Sequence, residues 1–233
     1  MPVYKLYLES GPQHKKTMVH VPELLGCVVT GPTTEATLER TPEMIRAFLR
    51  FVRRHGEMVD PDQDVQIEVA EHFTRGTWMG NGDPDLVLPS DLEPLTEADV
   101  EKYVRRLEGS RAELLALIEG LSDEQLTEKP EKGRPIRGML EHIFGAEYSY
   151  VRLFGKLDGV PGPGVVENKW TPELLDWMAH VRASEIAKLR SLTPEERTEP
   201  IRGKRMASKI VRRMLEHEWE HLVEMSERLG KPL

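Results

Sequence analysis

A single cysteine, Cys27, among 233 residues rules out an internal disulfide and any cysteine-rich metal site. Such usage fits a reducing compartment. No stretch approaches the roughly 18 apolar residues needed to span a bilayer. Met1 to Ser10 shows neither a basic leader nor an apolar core, so no signal peptide is expected. A basic excess is missing too. With a net charge of -8, a broad phosphate-binding surface is not expected. Arg46, Arg50, Arg53 and Arg54 cluster locally and read as a solvated helix face. These absences predict a cytoplasmic protein with no nucleic-acid or membrane partner. What is present is an ordinary globular composition, 39% hydrophobic and 31% charged, long enough for one large or two modest domains.

Hydrophobic periodicity divides the chain in two. Val3–Leu8 alternates as a strand, Thr17–Val21 and Cys27–Thr30 give two more, and residues 65–70 a fourth. Between the third and fourth, Leu38, Ile45, Phe48, Leu49 and Val52 mark one face of a helix from Thr34 to His55, stopped by Gly56. The segment 76–94 is rich in Gly, Pro and Asp and reads as a linker, with Trp78 and Met79 pinning it to one domain. Beyond it the pattern is helical. A first helix is capped at Thr96, a second spans about Pro135 to Phe154, and a third opens at Thr171-Pro172 with the stripe Leu174, Met178, Val181 and Leu189. The fourth runs from Ala207 to Leu229 before Gly230. The expected fold is therefore α+β with two domains: a small α/β module over residues 1–75, the linker, and a four-helix bundle over residues 95–233.

The fourth helix carries Met214-Leu-Glu-His-Glu-Trp-Glu-His-Leu222. His217 and His221 are four residues apart, so their imidazoles share one helix face and can serve one metal ion. His142, in Leu140-Glu-His-Ile143, lies at the edge of the apolar arc of the second helix in the same way. Three such histidines at the rim of a bundle core can hold a divalent metal and leave a coordination position open. His180 falls opposite the stripe of its helix, and His20, His55 and His72 read as solvent-facing.

Two carboxylates project into apolar arcs, Glu218 between Met214 and Leu222 and Glu147 between Ile143 and Val151. A buried carboxylate is costly unless paired. One reading holds that they steady a ligand imidazole by its other nitrogen or accept a proton. The other holds that their faces are partly open or form a subunit interface. His217 to His221 also matches His-Glu-x-x-His, with Glu218 as base. A zincin is nevertheless not expected, since its third ligand lies further on and the metzincin extension needs a histidine where Glu227 stands. A di-iron bundle needs two Glu-x-x-His motifs, and only Glu218 to His221 supplies one.

Two resemblances add to this reading. The line from Val21 to Leu38, with Pro22-Glu-Leu-Leu-Gly-Cys27 leading into Gly31-Pro-Thr-Thr-Glu-Ala36, resembles the HicB-like family over about the first 73 residues. That resemblance implies a small β-α-β fold related to ribonuclease H and a module that binds a protein partner. Pro42 departs from it, and no ribbon-helix-helix segment follows. The helical half, with His142 on its second helix and the His217/His221 pair on its last, resembles the DinB/YfiT-like superfamily over residues 95–230. This implies a four-helix bundle binding zinc, nickel or another divalent ion through His142, His217 and His221. It also implies relatives that include S-transferases and isomerases using a low-molecular-weight thiol, and some hydrolases.

The expectation is a metal-dependent enzyme in which a small thiol or water is activated to attack an electrophilic small-molecule substrate, with Glu218 or Glu147 in support. The alternative is a metal-binding scaffold whose N-terminal module docks a protein partner. A homodimer is compatible with either. Cys27 lies in the other domain and is read as a packing residue.

Overall fold

A computed structural model describes residues 2–12, 15–157, 159–162, 172–201, 203 and 205–233. Four strands form one sheet in the order β3-β2-β1-β4, with β1 Val3–Ser10, β2 Lys15–His20, β3 Val28–Thr33 and β4 Gln66–Phe73. Strand β2 runs antiparallel to both of its neighbours, β1 and β3, whereas β1 and β4 run parallel. That parallel pair requires a crossover, and helix α1 (Thr34–Arg54) provides it. Thr33 caps α1 by accepting from the Ala36 amide at 3.2 Å. The helix continues through Pro42. The lost amide costs less than the burial of Ile45, Phe48, Leu49 and Val52 contributes, so packing overrides local propensity.

The register sorts the strand residues by face. Leu8 pairs with Val19 and Ser10 with Thr17, placing these on the side of α1, where Thr34 Oγ1 meets Thr17 Oγ1 at 2.9 Å. Tyr7 pairs with His20 and Glu9 with Met18 on the opposite face. That second face is not open to water. It is covered by the last helix, so β2 from Thr17 to His20 is buried on both sides.

The helical half contains α2 (Glu97–Ile118), α3 (Asp123–Thr127), α4 (Ile136–Val151), α5 (Pro172–Arg190), α6 (Pro194–Thr198) and α7 (Ala207–Leu229). The cap expected at Thr96 is present as a reciprocal box with Asp99. The cap expected at Thr171 lies outside the described residues. Gly230 ends α7 at φ 61°, the left-handed conformation that closes a helix. Helix α7 is buried at 16 of its 23 residues, because the bundle takes one side and the sheet another. Trp219 is its main contact with α1, edge-on to Phe48 at 4.9 Å and tilted on Phe51 at 5.3 Å. The buried apolar side chains of sheet and bundle form one continuous cluster.

The stretch 76–94 does hold little regular structure, a single 3-10 turn at Pro89–Leu92. It is nonetheless tightly seated. Met79, Leu86 and Leu88 are buried, and the amide of Gly82 donates to Glu9 Oε1 at 2.5 Å. Buried Asp91 receives Arg212 through bonds of 2.6 and 2.8 Å. Met79 anchors this strap as expected, whereas Trp78 is 62% exposed and pins nothing.

His20 is the largest departure from the sequence reading. It is fully buried, 2.8 Å from Glu216 and 3.6 Å from Glu9, under Arg212. Burial alone would push its pKa down, but the two carboxylates outweigh that and hold it above 6.5. His55 and His72 are also engaged, with Glu113 at 3.1 Å and Ser10 at 2.8 Å respectively. Among the four, His180 lies exposed as expected.

Candidate metal centre

Helices α4 and α7 pack directly, and their apolar stripes decide what faces what. Ile143 on α4 and Met214 with Leu222 on α7 are buried between them. One position beyond each stripe stand His142, His217 and His221. Their ligand-capable atoms all lie within 4.8 Å of one another. The Nε2 atoms of His142 and His217 are 3.1 Å apart. Zinc–nitrogen bonds of about 2.0–2.1 Å in a tetrahedron would place two donors roughly 3.3 Å apart, so this pair already has nearly the right edge. At that separation two imidazoles must share either a proton or a cation.

The electrostatics favour the cation. Burial, then the neighbouring His221, pushes His142 down to about 4, and the same causes in the same order hold His217 well below its ordinary value. Both rings are therefore neutral near pH 7, with lone pairs available. His221 is oriented by a carboxylate that the sequence reading passed over. Its Nδ1–H donates to Glu224 Oε2 at 3.0 Å, which turns Nε2 toward the other two rings. The signal was present in the sequence, as a glutamate three residues after a ligand on the same helix face. Glu224→Ala is expected to weaken metal binding ~10–100-fold, measured by competition with a chromophoric chelator.

Glu147 and Glu218 occupy a different arrangement from either reading of them. Both are buried, and all four of their oxygens are taken by two guanidiniums. Arg111 donates to Glu147 Oε2 at 2.5 Å and to Glu218 Oε1 at 3.2 Å. Arg182 donates to Glu147 Oε1 at 2.6 Å and to Glu218 Oε2. Burial would raise the Glu147 carboxyl, but Arg182 and Arg111 overcome it and bring it down to about 2. A carboxylate so held is a poor proton acceptor. Glu185 sits beside the box, 3.0 Å from Arg182, and burial, joined by the Glu147 charge, raises its carboxyl well above the usual carboxylate range against the pull of Arg182. Four helices are thus tied by a charge-balanced cluster directly behind His217. Its members are structural neighbours of the triad, with no bond to a ligand imidazole among the described residues.

On the open side the triad faces a pocket of about 510 Å³. One wall is the bundle, with Tyr150 and Ala146. The other comes from the N-terminal half and the strap, through Lys16, Trp78 and Asn81. Cys27 is fully buried away from this lining, and burial pushes its thiol up, in keeping with a packing role. Among the described residues, no helix is long and apolar enough to cross a membrane.

No curated protein and no solved structure matches the chain significantly. A family model described as the DinB superfamily matches residues 106–225, just over half of the 233 and spanning α2 to α7 with all three histidines. The chain belongs to the DinB superfamily.

Proposed function

We propose that this chain is a divalent-metal-dependent enzyme, with His142, His217 and His221 holding zinc or nickel. Its nucleophile is a low-molecular-weight thiol or water, and its substrate a small electrophile. Bound there, the ion would supply a Lewis-acidic open position that lowers the pKa of the thiol or water. Everything else is done by the chain. Burial keeps His142 and His217 neutral, and Glu224 fixes the tautomer of His221. The glutamate–arginine box holds α4 and α7 at fixed spacing. The observation that carries the reading is the set of three convergent imidazoles lining a pocket large enough for a small substrate. A scaffold that only stored metal would have no use for that volume. In the same reading the N-terminal unit is a HicB-like module that has come to wall the pocket.

Transfer supports this directly if metal-saturated protein consumes a small thiol in the presence of an electrophilic acceptor and chelated protein does not. The expected difference is at least ~100-fold in rate, the scale of one activated nucleophile. Equal rates with and without metal, for both thiol conjugation and ester hydrolysis, would remove the enzyme reading.

A further inference from the structure

The pocket has features that the metal site does not need. Lys16 from β2 and Arg134 from the turn before α4 both line it, and both are exposed. Among the described residues neither makes a salt bridge. The Lys16 ammonium instead donates to the neutral amide oxygen of Asn81 at 2.5 Å. Arg213, a third cation in the wall, is already committed to Glu216 at 2.8 Å. Glu220 is the carboxylate in the lining. Glu224, its carboxyl lowered by the bond to His221 and also by the Arg134 charge, is itself committed to that histidine. In a chain of net charge -8, the pocket lining thus still carries more positive than negative side chains.

The backbone fixes the place of Lys16. Lys16 is the one described residue other than glycine with a positive φ, at 56°. Its carbonyl accepts from the Gly11 amide at 3.1 Å, and Gly80 packs against the same oxygen so closely that a Cβ would collide with it. Gly82, at φ 78°, lies against the Arg213 guanidinium in the same manner. Strained, over-determined backbone of this kind collects at ligand sites. Trp78, 62% exposed on the strap, adds an aromatic surface beside the cations, and Tyr150 stands on the bundle wall.

We infer that the pocket binds a small organic anion, its carboxylate held by Lys16 and Arg134 and its apolar body lying against Trp78. The inference rests on the proposed function for what the anion does there, as substrate or thiol partner, but its binding does not require the metal. The N-terminal half and strap thereby supply specificity to a site whose histidines belong to the bundle.

Calorimetric titration of the full chain, stripped of metal by a chelator and dialysed, isolates the basic rim. The probes are 3-phenylpropionate and its neutral amide, 3-phenylpropionamide. The acid is expected to bind at least ~10-fold more tightly than the amide and to weaken with added salt. Lys16→Gln and Arg134→Gln are each expected to weaken the acid ~5–10-fold and leave the amide unchanged. Trp78→Ala should weaken both. Both cations are exposed, so unchanged melting temperatures will separate lost binding from lost folding. Equal affinity for acid and amide, or variants without effect, would overturn the inference. Because the metal is absent throughout, neither result depends on the histidines, and a failed metal-content measurement leaves this one standing.

Discussion

Replacing His217 with alanine is expected to empty the metal centre. His217 closes the triad on both sides, with its Nε2 3.1 Å from that of His142 and its ring 4.7 Å from that of His221. Without it, two imidazoles remain on separate helices, and a stable tetrahedral site needs a third protein ligand. Purified parent protein should carry about one divalent ion per chain, and His217→Ala under about a tenth of that after dialysis, both by elemental mass spectrometry. His142→Ala should behave alike although it sits on α4, and this shared loss is what distinguishes one centre from two weak sites. The imidazole lies at the pocket floor, so far-ultraviolet circular dichroism should be unchanged. Metal retained at parent levels in both variants would show that the three rings are a structural cluster.

The second large effect is on stability. Arg182→Leu is expected to destabilise the fold by about 3–5 kcal/mol, read from the shift of the urea unfolding midpoint. The guanidinium is buried, and it bonds Glu147, Glu218 and the carbonyl of Leu107. Removing it leaves two buried carboxylates to share Arg111, with Glu185 alongside. The leucine cannot repay the desolvation of an unpaired charge. The exposed pair of Arg190 with Glu101 is the natural control, and its loss should move the midpoint little. The pH dependence has a definite sign. A carboxyl lowered in the fold contributes fully above its ordinary value near 4.5 and loses that contribution as pH falls toward about 2. In the parent, Glu147 should therefore add an acid limb to the stability profile, and Arg182→Leu should diminish it.

The helices and their histidines were legible because each rested on a local rule. The His217/His221 pair needs only helical spacing, and the caps at Thr96 and Gly230 fixed the ends of the helices around it. What could not be read was how many layers cover an element. His20 looked solvent-facing because a strand in a one-sided sheet exposes every second residue. Here α7 covers the second face, and the histidine is buried against Glu216. The burial of Glu147 and Glu218 was legible from their apolar arcs, but their partners were not. Arg111 and Arg182 come from α2 and α5, and nothing local in those helices marks two arginines as interior. The strap misled differently. Its glycines read as a lack of structure, while Gly80 and Gly82 are there because Lys16 and Arg213 come too close for a side chain.

The burial of α7 on both flanks has a consequence for how this protein can be divided. A gene trimmed to residues 95–233 would keep every histidine of the metal centre yet strip one side of its longest helix. Trp219 would lose the rings of Phe48 and Phe51, Arg212 would lose Asp91, and Glu216 would lose His20. The bundle in this chain is thus not a cassette that could be lent to another protein unchanged. Its last helix is interior to two neighbours at once, so each half completes the packing of the other.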